Sequence, residues 1–355
     1  MAFQVPSVTI EELLDSASPV VDVRTPKEFA EFRIPGAVNL PIFSNEERVQ
    51  VGTTYTQEDP NSAKHLGLEL VSGKLPELFQ QIKALYEEKG ERVIIHCWRG
   101  GMRSRTIVAL MNSLGVPCCQ LEGGIRSFRR LIVQELDVFA ETAPRFIVIE
   151  GLTGTRKTDI LEHLRQEGYP VLDLEGMAGH RGSAFGAIGL TQNSQKQFEN
   201  LLWQRLHDLK NAPYILIEAE SKRIGNVILP DFVLERKWSG ARIHMSYPFQ
   251  KRVKSLHEEY EPEKNEQEFR AAVARVEKRI DARIRKELDE AMEKRDYFQV
   301  ISILLESYYD PRYRFSADQY DTPVVEIQME HFQEGVDQVK RAIEELSGMK
   351  NVEKC

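Results

Sequence analysis

Six consecutive residues, His96-Cys97-Trp98-Arg99-Gly100-Gly101, closed by Met102-Arg103-Ser104, constrain this chain more than any other stretch. An apolar run, Val93-Ile94-Ile95, precedes them. A helical pattern from Thr106 to Leu114 follows and is stopped by Gly115. A strand that runs through a glycine-bearing loop into a helix aims backbone N–H groups at the space above the cysteine. With Arg99 and Arg103 close by, that geometry lowers the thiol pKa and holds an anion beside the thiolate. The pattern implies nucleophilic sulfur chemistry on an anionic or chalcogen-bearing substrate.

Segments upstream add detail. Val20-Val21-Asp22-Val23-Arg24 reads as a short buried strand ending in a charged pair. Thr25-Pro26-Lys27-Glu28-Phe29 starts a helix, with Thr25 as N-cap, Pro26 at the first helical position and Glu28 as the capping-box acid. Ile34 to Pro41 reads as a turn feeding a second strand, and Leu121-Glu122-Gly123-Gly124-Ile125 follows the cysteine helix. With these motifs in this order, residues 5–135 resemble a rhodanese domain. The resemblance implies that Cys97 carries sulfur or selenium as a persulfide or perselenide. It also implies that Arg103 clamps an anion and that Asp22 and Arg24 form a structural ion pair. One departure stands out: Arg103 lies one position further from the cysteine than in usual rhodanese loops. His96-Cys97, five residues, then Arg103-Ser104 is also the phosphatase signature. The longer loop makes a cradle wide enough for a tetrahedral phosphate-like group. Chalcogen transfer from a phosphorylated donor and phosphate-ester hydrolysis both fit it, the latter needing a general acid that the sequence does not place. Cys118 and Cys119 sit in an apolar run and read as strand core, and Cys355 as an exposed terminal thiol.

At 355 residues the chain is long enough for two domains. These are expected at 1–140, rhodanese-like, and at 141–355, with Ala143-Pro144 as the linker. Four cysteines without regular spacing argue for reduced thiols. The N-terminus lacks a signal-peptide pattern, and no apolar run approaches the ~20 residues that span a bilayer. A cytoplasmic enzyme without membrane contact is expected. The net charge of −8 repels nucleic acid, so RNA binding requires a local basic patch.

The second half opens on Arg145-Phe146-Ile147-Val148-Ile149-Glu150, which reads as a fully buried strand. Gly151-Leu152-Thr153-Gly154-Thr155-Arg156-Lys157-Thr158 follows, then an amphipathic helix from Asp159 to Gln166. Strand, loop, Lys-Thr and helix form the context that makes a phosphate loop credible. Its amides (Gly151, Thr153, Gly154, Thr155) and Lys157 would cradle a pyrophosphate, and Thr158 would face a metal ion, Mg2+ by the pattern. Arg156 stands where the pattern has glycine. Either the loop adapts to the side chain, or phosphate binding is weakened and Arg156→Gly strengthens it. Val171 to Leu174, Tyr214 to Glu218 and Arg242 to Ser246 read as further strands, alternating with helices into a parallel sheet. Glu218 ends its strand in a position suited to a metal-side acid. The loops His180 to Gly186, with Ser183, and Glu218 to Gly225, with Arg223, should face one crevice at the strands' carboxyl ends. No resident metal site is assigned. The expected fold class is α/β: a rhodanese-like domain, then a P-loop NTPase-like parallel-sheet domain with a helical tail.

Residues 265–297 read as one long helix with Phe269, Val273, Val276, Ile280, Ile284 and Leu288 as its buried stripe. Arg275, Lys278, Arg279, Arg283, Arg285 and Lys286 crowd its middle, either as a solvated face or as an RNA backbone contact. In Tyr308-Tyr309-Asp310-Pro311-Arg312-Tyr313-Arg314, aromatics interleaved with arginines suit a splayed base, or a packed tyrosine corner. A rhodanese-like cysteine loop fused to a phosphate loop, with His-Arg-Gly-Ser-Ala-Phe-Gly, Glu-Ala-Glu-Ser-Lys-Arg-Ile-Gly and Tyr-Tyr-Asp-Pro, is a narrow combination. The whole chain resembles the tRNA 2-selenouridine synthases. That resemblance implies replacement of the sulfur of wobble 2-thiouridine in the tRNA anticodon loop by selenium from selenophosphate. It further implies a route through S-geranyl-2-thiouridine made from geranyl diphosphate. An enzyme that supplies selenophosphate is then an implied partner. A Cys-dependent phosphatase or sulfurtransferase with an accessory P-loop domain, and a P-loop kinase or NTPase, are the competing readings.

Overall fold

The structure, a computed structural model, describes residues 4–313 and 322–348. Arg314 and Cys355 lie outside the described residues. Two compact units divide between Asp137 and Val138.

The first unit is built on a five-stranded, all-parallel sheet in the order Ser7–Val8, Cys118–Leu121, Val93–His96, Val20–Asp22, Val38–Asn39. Every residue of the three inner strands is buried, as expected of a parallel sheet covered on both faces. Thr25 caps the helix Pro26–Glu31, its hydroxyl accepting the Glu28 N–H while the Glu28 carboxylate accepts the Thr25 N–H. After Val93–His96 the chain enters the cysteine loop and goes directly into the helix Met102–Ser113. That helix starts four residues earlier than the apolar pattern suggests, because nothing in Met102-Arg103-Ser104-Arg105 opposes helix and the loop's glycines make the turn beforehand. The helix Ile125–Thr142 follows the strand Cys118–Leu121.

The second unit has a five-stranded parallel sheet, Val324–Gln328, Ala241–Ser246, Phe146–Gly151, Ile215–Glu218, Val171–Leu172. The central strand Phe146–Gly151 feeds the phosphate loop and the helix Lys157–Gln166. The Val171 strand is shorter than expected, because the Asp173 carboxylate accepts the Gly176 N–H and starts the helix Leu174–Ala178. A helical cluster, Phe249–Tyr260, Glu266–Glu277, Ala282–Glu293 and Tyr297–Leu304, packs around Phe269, Val276, Leu288 and Val300. Phe185 from the loop after the second strand sits in this cluster, its ring 5.2 Å from that of Phe269.

The expected helix over 265–297 is two helices. Asp281 breaks it, its carboxylate accepting the Arg283 N–H as an N-cap. The apolar stripe is correct nonetheless: Phe269, Val273, Val276, Ile280 and Leu288 are buried and Ile284 packs against them. Apolar spacing survives a turn that returns the second helix to the same core.

Gly124 fixes the cysteine loop from below. Its φ is +58°, and a Cβ there would collide with the Cys97 carbonyl and stand 2.6 Å from the Gly100 nitrogen and 2.9 Å from that of Arg99. Gly124→Ala is expected to cost at least about 2 kcal/mol in chemical denaturation of the full chain, from φ strain plus backbone clash.

Candidate active sites: a thiolate cradle and a phosphate-loop crevice

Cys97 ends the strand Val93–His96 at its carboxyl end and is 3% exposed. The Ser104 hydroxyl donates to its Sγ at 3.2 Å. Burial pushes the thiol up, but it is outweighed by that hydroxyl, the Ser104 and Gly101 N–H groups and the Arg103 charge, so the pKa lies below the ordinary thiol value. A helix that starts at Met102 with no side-chain cap supplies those N–H groups. Arg103 sits 3.1 Å from the Glu28 carboxylate, and Arg99 is exposed on the loop. The acting charge is therefore Arg103's. Asp22 and Arg24 form a fully buried pair, Nη2 to Oδ2 2.6 Å, and Arg24 also donates to the Phe32 carbonyl. His96 is kept neutral by burial, despite Asp22 3.7 Å away. A phosphatase would need a protonated acid for its leaving group. Asp22 is taken by Arg24, and Glu28 is held below the usual carboxylate range by Arg103 despite its burial. Neither serves, so the arrangement does not favour hydrolysis.

The second site is a cavity of about 1010 Å³. The phosphate loop forms one wall, with Gly151, Thr153 and Gly154 lining it. Thr155 is buried beneath, its hydroxyl donating to the Leu152 carbonyl. Lys157 Nζ donates to the Gly151 and Leu152 carbonyls at 3.1 and 3.3 Å and lies 3.4 Å from Glu218. Thr158 Oγ1 is 2.9 Å from Glu218 and 3.3 Å from Glu175. Glu175, Glu218 and Glu220 each place an oxygen within 4.8 Å of the others. Burial, then Glu218, pushes Glu175 well up and Glu220 up to about 7, and burial pushes Glu259 up to about 7. Glu175 and Glu259 escaped sequence reasoning: Glu175 is the single acid of the short helix Leu174–Ala178, Glu259 is one of an adjacent pair in Phe249–Tyr260, and neither stands in a motif. So did Arg242 and His244, which reach Glu150 across the sheet.

Arg156 takes the left-handed backbone of the missing glycine, φ 63° and ψ 29°. Its guanidinium is 2.7 Å from Asp159 and 4.5 Å from the Phe332 ring centre. The loop thus adapts to the arginine.

Ser183, Tyr308, Tyr309 and Arg312 line this same cavity: both loops meet there as expected, and the tyrosine segment joins them. Tyr308 is buried, with the Arg312 guanidinium 3.6 Å over its ring. Four expected ligand contacts are not at the cavity wall. Arg223 lies exposed on the small hairpin Arg223–Ile224/Val227–Ile228 and donates to the Gly225 carbonyl, because the hairpin carries it away from the strand ends. Arg275 donates to the Ala184 carbonyl and Arg279 to the Tyr308 hydroxyl, so both brace the scaffold. Arg283 follows the Asp281 break, is 88% exposed and lies 3.6 Å from Glu287. A metal-competent trio, unassigned from sequence, stands beside Thr158.

The family model described as the tRNA 2-selenouridine synthase AAA domain matches residues 144–345, and the rhodanese-like domain matches residues 8–131. The chain belongs to the tRNA 2-selenouridine synthase family. A member from Nitrosomonas europaea is 36% identical over 72% of this chain and 67% of its own length. Members from Proteus mirabilis and Shewanella woodyi are 31% and 29% identical, covering 89% and 90% of this chain and 93% and 94% of their own. Among the described residues no helix is long and apolar enough to cross a membrane.

Two outcomes are expected of this 2-selenouridine synthase relative. Glu220 and Glu259 ionise as pH rises through about 7, adding negative charge beside the phosphate loop. Pyrophosphate affinity in metal-free buffer should therefore fall about three- to tenfold from about pH 6 to about pH 8, by calorimetry, and Glu220→Gln should flatten the slope. Because Arg156 is already accommodated, Arg156→Gly should change pyrophosphate affinity by less than about threefold (~0.7 kcal/mol).

Proposed function

We propose that this chain replaces the sulfur of wobble 2-thiouridine in tRNA with selenium, by way of an S-geranyl intermediate, with the two reactions divided between its units. The carrying observation is that one cavity holds both a phosphate loop and the Tyr308, Tyr309 and Arg312 cluster. A diphosphate anchor and an aromatic, cationic wall at one site suit a prenyl diphosphate meeting an unstacked base.

In the second unit Lys157, Thr158 and the loop amides hold geranyl diphosphate. The thiocarbonyl sulfur of the uridine attacks the geranyl carbon next to oxygen, that C–O bond breaks, and diphosphate leaves. The base loses its N3 proton as sulfur is alkylated. Thr158, Glu175, Glu218 and Glu220 offer the oxygen donors that a hard cation such as Mg2+ takes. When bound, such an ion offsets the charge of the departing diphosphate. In the first unit the lowered thiol of Cys97 and the Arg103 charge suit selenophosphate. Selenophosphate held beside the Cys97 thiolate adds through its selenium at C2 of the base and expels geranyl thiolate; water then cleaves the Se–P bond, which releases phosphate and leaves 2-selenouridine. The donor implies a selenophosphate-supplying enzyme as partner, and the reaction implies a cytoplasmic setting with tRNA.

Nucleoside mass spectrometry tests the division of labour. The full chain is incubated with 2-thiouridine-containing tRNA, selenophosphate and geranyl diphosphate. Cys97→Ser should abolish 2-selenouridine but leave S-geranyl-2-thiouridine, and Lys157→Ala should cut the geranylated base by about 100-fold or more. Loss of both products in Cys97→Ser would overturn the assignment.

A further inference from the structure

Gln120 is the one polar residue in the strand Cys118–Leu121, and it is 7% exposed. It pairs with Ile95 on the strand that ends at Cys97. Burying an amide costs free energy unless its hydrogen bonds are made. Gln120 Nε2 makes two, to the Gly101 carbonyl at 3.1 Å and to Ser104 Oγ at 2.7 Å.

The first bond orients the amide. A backbone carbonyl only accepts, so the atom facing Gly101 must be the NH2 group, and the second hydrogen of that group points at Ser104. Ser104 Oγ therefore accepts from Gln120. Its single proton is left for Cys97 Sγ, 3.2 Å away. We propose that Gln120 is a positioning residue, one that commits the Ser104 proton to the Cys97 sulfur. The chain of donors runs Gln120 to Ser104 to Cys97, and each link lies inside the first unit. Without the amide, the hydroxyl proton turns to other acceptors and the thiolate loses a donor.

Other groups around the sulfur do not supply this. Arg103, on the helix after the loop, contributes charge and is engaged by Glu28 from the helix Pro26–Glu31. Asp22 and Arg24 on the neighbouring strand close on each other, and His96 stays neutral. Cys118 and Cys119 are buried and their thiols are pushed up by burial, so they do not compete as thiolates. The inference rests on Cys97 as the reactive sulfur of the proposed selenium transfer. Its test uses neither selenium nor tRNA, so the two readings fail separately.

The test is the pH dependence of iodoacetamide alkylation at Cys97. It is read by peptide mass spectrometry on the full chain with Cys355→Ser. Gln120→Met should raise the midpoint by about one pH unit, tenfold less thiolate at a given pH. Ser104→Ala should do the same, and the double variant should shift no further than either alone, because the two act in series. Gln120→Glu keeps the shape and turns the donor into an acceptor. It should raise the midpoint at least as far, and it stands in if the methionine variant does not fold. An unchanged midpoint in both Gln120 variants, with a raised one in Ser104→Ala, would overturn the proposal. So would fully additive shifts in the double variant.

Discussion

Burying an arginine is costly unless its donors are taken, and Arg252 shows what the second unit gains from one. The residue is 3% exposed. Its Nε donates to the Thr153 carbonyl of the phosphate loop at 2.8 Å, and both terminal nitrogens hold Asp310 at 3.0 and 2.6 Å. Its own carbonyl would stand 2.9 Å from a Cβ at Gly154, so the loop rests against the backbone of this helix as well. One guanidinium thus ties the phosphate loop, the helix Phe249–Tyr260 and the start of the Tyr-Tyr-Asp-Pro-Arg segment into a single rigid corner. Removing one partner of such a pair leaves a buried charge, which costs several kcal/mol (roughly 3–5). The cavity inherits its shape from this corner. A π-helical turn at Leu305–Tyr309, just before Asp310, sets Tyr308 and Tyr309 towards that cavity.

The first unit reaches a similar end by different means. Its loop is held by backbone contact rather than by a guanidinium: the Ile125 N–H donates to the Cys97 carbonyl, and Gly124 passes beneath. The buried arginine here, Arg24, clamps Asp22 and the Phe32 carbonyl, one strand away from the cysteine. The loop glycines allow the approach. The following helix then presents N–H groups without any side-chain cap to occupy them.

Both anion loops were legible in the sequence because each couples a local apolar run to an abrupt polar loop and a helix start. Such signals are short-range. The same holds for the capping box at Thr25 and Glu28, which the structure reproduces atom by atom. What was not legible depends on register and on distant partners. The Asp281 break is invisible to an apolar count, since a helix and two helices joined by a turn can bury the same stripe. Arg223, Arg275 and Arg279 looked like ligand contacts because arginine in a glycine-rich or basic stretch suits phosphate. Only the fold reveals that each also donates to a carbonyl or a tyrosine hydroxyl of this chain. Glu175 belongs to the site through a short helix that carries it to Thr158, and a single sequence holds no mark of that closure.

The two sites are electrostatic opposites, and this bears on why one chain carries both. Around Cys97 the donors and Arg103 favour the anionic form of a nucleophile, even at a cost in burial. Around the phosphate loop three carboxylates crowd one lysine and favour protonation of two of them. A thiolate placed among those carboxylates would be pushed up and lost. At the cysteine the nearby carboxylates, Asp22 and Glu28, are instead held by Arg24 and Arg103. In the proposed route, alkylation of sulfur creates a leaving group and releases a proton, whereas selenium entry consumes a nucleophile. An anionic sulfur and raised carboxyls need opposite surroundings, and the two environments lie in separate units, each with its own loop at the carboxyl ends of a parallel sheet.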